Sequence, residues 1–103
     1  MVNVMSYELL VGLQVDDRDV YTQYRAEIKP LLQSAGGEFR YDFEVRHALV
    51  NSSGHPINRV FVLAFPDADA RARFFNDDRY LSIRNRLFNN AVSGTTIIAE
   101  YTR

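Results

Sequence analysis

The clearest hydrophobic pattern lies in the middle of the chain, over residues 58–75. Within residues 60–65 both alternating sets of side chains are apolar, which predicts a strand that is covered on both faces. Pro66 cannot donate a hydrogen bond to a neighbouring strand, so the strand ends there. Asp67 then offers a helix N-cap. The segment therefore predicts a strand, an abrupt stop and a helix.

Similar patterns on either side predict the rest of the secondary structure. The first helix follows an acidic cluster, which suits a helix N-terminus. Pro30 lies inside this helix and should bend or segment it, and Gly36 with Gly37 should end it. Strands are predicted over residues 7–15, 38–50, 57–65 and 94–101, and helices over residues 16–35, 67–75 and 78–88.

The order β-α-β-β-α-β is that of the α+β ferredoxin-like fold, a four-stranded antiparallel sheet with helices on one face. The helices can cover only that face, yet the first and third strands are apolar on both. The other face would expose a large apolar patch. A second copy packed sheet to sheet about a two-fold axis would cover it. The pattern therefore predicts a homodimer that associates through the sheet face, two chains forming a dimeric α+β barrel.

Composition narrows the class of protein further. The 103 residues predict one domain, 1–103, and the net charge of −1 argues against a nucleic-acid partner. The chain has no cysteine, which excludes disulfides and thiolate chemistry. The first six residues do not resemble a secretory signal, and no apolar run approaches the roughly 20 residues that span a bilayer. We therefore expect a cytoplasmic protein with no membrane partner.

One histidine is the main candidate for chemistry. His47 and Tyr41 fall on the same face of the predicted strand 38–50, roughly 20 Å apart by the strand rise. His47 could act as a catalytic general base, since imidazole titrates near neutral pH, or as an axial haem ligand. The commoner reason for such a residue is a histidine near the strand end that is half exposed or hydrogen-bonded in the dimer interface. No second histidine has ligand spacing to His47, so we expect no metal site, and the sequence calls for no cofactor.

Tyrosines and one arginine are the candidate ligand contacts. Tyrosines in a pocket often supply the few polar contacts of an aromatic ligand site, although packing in the core explains many of them. Arg84 lies among mixed charges and could reach a carboxylate at the mouth of a cleft. The candidate ligand-binding residues are Tyr7, Tyr24, Tyr41, Tyr80 and Arg84.

Two segments of the chain resemble a known family. The first is Tyr24-Arg25-Ala26-Glu27-Ile28-Lys29-Pro30-Leu31-Leu32, followed by Gly36-Gly37-Glu38-Phe39. The second is Val62-Leu63-Ala64-Phe65-Pro66-Asp67, followed by Ala70, Ala72, Phe74-Phe75 and Tyr80. Together they are similar to the signatures of the domain of unknown function 1330 family, within the dimeric α+β barrel superfamily. The resemblance implies this fold and a barrel built from two chains.

The chain departs from the family pattern at polar positions. The resemblance leads us to expect an acidic residue at the position of Ala64 and an arginine at that of Glu38. Phe74 or Phe75 replaces a helical tryptophan, and Arg84 and Arg86 are the candidates for an arginine after Tyr80. Relatives in the wider superfamily include cofactor-independent monooxygenases, haem-degrading enzymes, lactone isomerases and dye-decolourising peroxidases. The resemblance therefore implies a fold more firmly than an activity.

Three functions compete on this evidence. The first is a pocket between sheet and helices that binds or transforms a small hydrophobic or aromatic metabolite without a metal. The second is a non-catalytic binding or interaction module with a filled core. The third is an RNA-recognition domain, which shares the element order. That module stacks bases on exposed aromatic residues of its central strands, where this chain has aliphatic ones, so the third reading is disfavoured.

Overall fold

A computed structural model describes residues 5–103. The opening segment, residues 1–6, falls largely outside the described residues. The prediction that it is not a secretory signal concerns this segment. Within residues 5–103, no helix combines the length and the apolar character that a bilayer span requires.

The described residues form a ferredoxin-like α+β fold. Its four-stranded sheet has the order β2-β3-β1-β4, and each neighbouring pair is antiparallel. A π-helical turn, Arg84–Phe88, follows the third helix directly. The elements are β1 (Tyr7–Val15), α1 (Arg18–Ser34), β2 (Glu38–Glu44), β3 (Arg59–Phe65), α2 (Ala68–Asn76), α3 (Asp78–Ile83), α4 (Asn89–Ala91) and β4 (Val92–Thr102).

Local chemistry fixes the helix starts. The side chain of Asp17 accepts a hydrogen bond from the Val20 amide, and that of Asp67 accepts one from the Ala70 amide. Both are N-caps, so the predicted cap at Asp67 is confirmed. α1 runs through Pro30 as one helix, and is not split there.

The core lies between α1–α3 and one side of the sheet. We call this side the helix face, and its buried strand residues are Leu9, Val11, Leu13, Phe61, Leu63 and Phe65. The buried residues of α1 are Tyr21, Tyr24, Ile28 and Leu32. Val20, which has helical spacing to Tyr24, is only partly buried. We call the opposite side of the sheet the open face; it carries the alternate strand residues, among them Glu8, Gly12, Val62 and Ala64.

The prediction that β2 extends to Val50 is wrong. β2 pairs with β3 up to Glu44 opposite Arg59. Continued in that register, the strand would place Pro56 opposite His47, and proline has no amide hydrogen to donate. The chain instead leaves the sheet, and residues 45–58 form an irregular segment. His47 therefore lies exposed in a loop, and not on a strand beside Tyr41.

The 45–58 segment folds back over part of the open face. Asn58 anchors it, because its side chain exchanges two hydrogen bonds of 2.8 Å with the backbone of Val15. The Ile57 side chain occupies the space above Gly12, where an added Cβ would lie 2.8 Å from it. Gly12 thus provides packing room for Ile57. His55 packs over Gly94 and hydrogen-bonds to Thr96.

A bulge in β2 redirects its side chains. Phe39 pairs with Leu63, but Tyr41 pairs with the next residue, Val62, so Arg40 is an extra residue on β2. A regular strand would place Phe39, Tyr41 and Phe43 on one face, and the bulge prevents this. Phe39 packs on the helix face, whereas Tyr41 and Phe43 lie on the open face, 51% and 55% exposed.

Candidate ligand-binding site

A cavity of about 230 Å³ lies between the helix face and the helices. Its wall is mostly aliphatic and aromatic and comes from the core residues of β1, β3, α1 and α2. The polar side chains of the wall are Tyr21, Tyr24, Arg71, Tyr80, Arg84 and Thr95. Since Arg71, Arg84 and Thr95 are partly or fully exposed, the cavity reaches the surface beside β4.

Two buried tyrosines join across the cavity wall. The Tyr24 and Tyr80 hydroxyl oxygens are 3.0 Å apart, and either can donate the hydrogen bond. α1 positions Tyr24 and α3 positions Tyr80, so this bond also ties the two helices together. Burial is the main cause that raises the pKa of both tyrosines. Both hydroxyls therefore stay protonated at neutral pH and act as neutral donors.

Arg84 lies next to this tyrosine pair. Its guanidinium carbon is 5.4 Å from the centre of the Phe88 ring, a cation–π distance. Burial raises the pKa of Tyr80, while its hydrogen bond with Tyr24 and the charge of Arg84 lower it. The guanidinium thus lies over an aromatic face at the rim of the cavity, near the Tyr80 hydroxyl.

The π-helical turn places Arg84 there. A π turn widens the helix and changes the direction of the residues that follow, and such turns are frequent at functional sites. Here it begins at Arg84 and ends at Phe88, so it contains both partners of the cation–π contact. It also buries Leu87 and Phe88 against the core.

Arg71 is the second arginine of the wall, and it is neutralised. Its guanidinium lies 3.2 Å from Oε1 of Glu100 on β4. The Tyr7 hydroxyl donates a 3.1 Å hydrogen bond to the same oxygen. Burial, together with the Glu100 carboxylate, raises the pKa of Tyr7. Tyr7 thus supports the pair at the rim without forming part of the wall.

A partly buried ion cluster lies behind Tyr21. Asp42 binds Arg25 from α1 at 2.7 Å and Arg59 from β3 at 2.8 Å. The Arg59 guanidinium carbon is 4.9 Å from the centre of the Tyr21 ring. Burial raises the pKa of Tyr21, and the Asp42 carboxylate adds to that effect. The cluster fixes α1 on the sheet and supports the cavity from behind.

The wall contains no group suited to proton abstraction at neutral pH. None of its described residues is an aspartate, glutamate, histidine or cysteine. Its hydroxyls are neutral donors and its arginines are cations. Among residues 5–103, no three acidic or histidine side chains are grouped to hold a metal ion. The arrangement can enclose an apolar group, donate hydrogen bonds and attract negative charge.

The structure brings together only part of the predicted site. Tyr24, Tyr80 and Arg84 line the cavity. Tyr7 touches Glu100 at the rim, Tyr41 lies on the open face and His47 lies exposed in the 45–58 segment, so none of these three belongs to the wall. Tyr41 and His47 do not share a strand face, because β2 is bulged and ends before His47.

Sequence reasoning missed three polar wall residues, Tyr21, Arg71 and Thr95. Tyr21 had a usable signal, because it precedes Tyr24 by three residues and so shares its helical face. Arg71 had none, since its place depends on an ion pair with Glu100, 29 residues away on β4.

The open face contains a separate polar cluster around Glu8. This carboxylate is completely buried, accepts a 2.8 Å hydrogen bond from the Ser6 hydroxyl, and lies 2.9 Å from Nε of Arg40. Burial raises the pKa of Glu8, but the hydrogen bond from Ser6 and the charges of Arg40 and Arg103 outweigh it and lower the pKa. Arg40 can reach Glu8 because it follows Phe39, which packs on the helix face, and so lies on the open face itself.

Solved structures similar to this chain share its fold. A protein of unknown function from Rhodopseudomonas palustris matches with a TM-score of 0.74 and 14% identity, over 98% of this chain and 82% of that one. A dimeric ferredoxin-like protein of unknown function from Jannaschia sp. CCS1 matches with a TM-score of 0.66 and 19% identity, over 94% and 97%. Hydroxynitrile lyase from Passiflora edulis matches with a TM-score of 0.63 and 12% identity, over 98% and 94%.

A comparison with curated proteins finds no match. A family model, by contrast, matches residues 7–101, which is nearly the whole chain. This confirms the resemblance that the tyrosine, proline and double-glycine signatures indicated. The chain belongs to the family described as domain of unknown function (DUF1330).

Proposed function

We propose that this protein is a homodimeric α+β barrel protein that binds a small hydrophobic or aromatic metabolite in the cavity, without a metal ion. The observation that carries the proposal is the cavity itself, about 230 Å³ with an apolar, aromatic wall and a few polar groups. An apolar cavity of about 150 Å³ is sufficient for benzene. The volume here suits one aromatic ring with a substituent.

The open face supports the homodimer. Tyr41 and Phe43 stack on it with ring centres 5.8 Å apart, and both are about half exposed. Leu49 and Val50, at the tip of the 45–58 segment, are 90% and 91% exposed. Exposed apolar groups of this size mark association surfaces. The similar Jannaschia protein is described as dimeric, which agrees with this proposal.

We propose binding as the activity, because the wall provides no general base. A chemical step on a bound ligand would have to use the Tyr24–Tyr80 pair as a proton donor. The similar lyase from Passiflora edulis is an enzyme of this fold, but fold alone does not carry an activity. His47, predicted as a general base, is exposed and remote from the wall in the single chain. The cavity argues against the filled core that the non-catalytic module would have.

A ligand screen with a blocked cavity tests the proposal. Phenol, benzoate, benzamide and toluene would be titrated into the isotope-labelled protein and followed by NMR. We expect at least one to shift resonances of wall residues at millimolar concentration or below. Thr95→Trp, at the mouth, should abolish those shifts. Thr102→Trp is the matched control, since Thr102 is exposed on the same strand but does not line the cavity.

Two outcomes would contradict the proposed binding. One is that no compound of the panel shifts the wall resonances. The other is that Thr95→Trp and Thr102→Trp bind the ligand equally well, which would place it outside the cavity.

A further inference from the structure

We propose that the ligand of the cavity is an anion, a small aromatic or hydrophobic carboxylate, and that Arg84 binds its carboxylate group. This inference rests on the proposed function and names the chemical class of its ligand. It follows from the balance of charge in the cavity wall, from the placement of Arg84 and from the hydroxyls beside it.

The wall has an uncompensated positive charge. Of its two arginines, Arg71 is paired with Glu100. Arg84 has no acidic side chain within 4.0 Å among residues 5–103, and no acidic residue lines the cavity. In a water-poor site a charge acts more strongly than in bulk solvent. An anion entering the cavity would neutralise Arg84, whereas a cationic ligand would be repelled.

Arg84 is held in place before any ligand arrives. Its guanidinium carbon lies 5.4 Å from the Phe88 ring centre, and its charge acts on the nearby Tyr80 hydroxyl. A guanidinium presents five donors in a planar fork, so these contacts leave donors available. Because its orientation is already restricted, binding a carboxylate costs little further side-chain entropy.

The tyrosine pair adds a second donor to the same site. Tyr24 can donate its hydrogen bond to the Tyr80 oxygen, because either hydroxyl of the pair can be the donor. In that arrangement the Tyr80 proton is free to point at the ligand. One carboxylate oxygen can then accept from Arg84 and the other from Tyr80. Charge-assisted hydrogen bonds of this kind are stronger than neutral ones.

The remainder of the wall fits the apolar part of such a ligand. The Phe74 and Phe75 rings pack edge to face, 5.0 Å between centres, and the Phe88 ring lies 5.0 Å from that of Tyr24. These side chains offer ring faces and edges on which an aromatic ring can stack. The volume of about 230 Å³ limits the ligand to one ring with small substituents.

Benzoate and benzamide form a matched pair of probes, since they differ mainly in charge. Calorimetry or NMR titration at pH 7 would give both dissociation constants for the full chain. We expect benzoate to bind about 10- to 100-fold more tightly than benzamide, the range for hydrogen bonds to a charged group. Arg84→Gln should remove this preference while benzamide still binds. Arg84→Lys, which keeps the charge but not the fork, should retain part of it.

Arg86→Gln is the matched control. Arg86 lies two residues further along the same turn, pairs with Glu27 and does not line the cavity. It should leave both dissociation constants unchanged. If Arg84→Gln does not fold, the ratio of the benzamide and benzoate dissociation constants in the wild type and in Arg84→Lys still tests the proposal.

Failures of the two proposals look different. Equal affinity for benzoate and benzamide in the wild type would overturn the anion proposal while leaving the cavity a ligand site. An unchanged benzoate preference in Arg84→Gln would assign the charge selectivity to another group and overturn the role of Arg84. Failure of both probes and of the neutral panel to bind would overturn the proposed function itself.

Discussion

The two faces of the sheet are built from the same strands but are completed differently. On the helix face, Leu9, Leu63 and Phe65 are covered by the chain's own helices, and a cavity remains between the layers. On the open face, the 45–58 segment covers the region around Gly12, while Tyr41 and Phe43 remain half exposed. The helix face is covered within the chain, whereas the open face leaves apolar surface that a second molecule can cover.

Their polar groups differ as well. The helix face keeps neutral tyrosine hydroxyls and one unpaired arginine around the cavity, whereas the open face holds a buried carboxylate with an arginine partner. A cavity whose wall has available hydrogen-bond donors suits a ligand that supplies a hydrogen-bond acceptor. The Glu8 carboxylate already has two donors at Oε2, from Ser6 and Arg40, which suits a structural role. This contrast is why we place the ligand on the helix face and the partner chain on the open face.

The largest expected effect is on the helix face. Phe65 is 1% exposed and packs against Phe74 and Phe75. Phe65→Ala should lower the free energy of unfolding by about 3–5 kcal/mol, because it removes a buried ring and leaves a void. Urea unfolding followed by circular dichroism measures this. Phe43→Ala is the matched control on the open face; at a concentration where the chain is monomeric it should cost less than about 1 kcal/mol. Equal losses would erase the contrast between the faces.

The next effect concerns self-association through the open face. Tyr41→Asp combined with Phe43→Asp should weaken the dimer by at least about 30-fold, the effect of losing one interface hot spot. Sedimentation velocity over a range of concentrations gives the dissociation constant. Leu81→Asp is the control, since Leu81 is an exposed apolar residue of α3, outside the sheet. A wild-type chain that is monomeric at high concentration would contradict the homodimer.

A smaller effect is expected from the buried carboxylate. Glu8→Gln should cost about 1–3 kcal/mol at pH 7, because Arg40 loses its buried partner. The pKa of Glu8 is lower in the folded protein, so its ionisation stabilises the fold above the pKa of the unfolded chain. That stabilisation is lost as the pH falls below about 4.3 and through the folded pKa. The stability difference between wild type and Glu8→Gln should therefore shrink on acidification; a constant difference from pH 7 to pH 3 would contradict it.

The smallest effect is expected at the tyrosine pair. Tyr24→Phe and Tyr80→Phe should each cost about 1 kcal/mol, the net value of one hydrogen bond. The double variant should cost less than the sum, since it leaves neither hydroxyl without its partner. A double-mutant cycle from urea unfolding measures the difference. Strict additivity would mean that the two hydroxyls do not interact.

Much of the fold follows from local pattern. β1 and β3 have the predicted positions because alternation and Pro66 define them, and α1 and α2 start at aspartates that cap them. The limits of β2 do not follow, because a strand exists only where its neighbour pairs with it, and β3 begins at Arg59. The bulge at Arg40 is marked by no glycine, so nothing in the sequence predicted which face Tyr41 would take.

Part of the cavity wall was likewise predicted where local pattern was sufficient. Tyr24, Tyr80 and Arg84 lie on helices whose periodicity, or whose resemblance to the family, indicates an inward position. Contacts between distant elements, such as Arg71 with Glu100, could not be foreseen. The family resemblance also implies an acid at position 64. Here Ala64 lies directly across from Glu8 on β1, so a buried carboxylate sits beside that position on the neighbouring strand.

The bulges have one further consequence, for the edges of the sheet. The outer strands are β2 and β4, and both are irregular: β2 at Arg40, and β4 where Ile98 and Ser93 fall out of register with β1. A regular outer strand offers a row of unpaired backbone groups on which another chain can build a continuous sheet. Bulges twist that row and interrupt it. The open face of the sheet thus leaves apolar side chains exposed. The irregular backbone at both edges of the sheet, by contrast, disfavours the successive addition of strands from other chains that leads to aggregation.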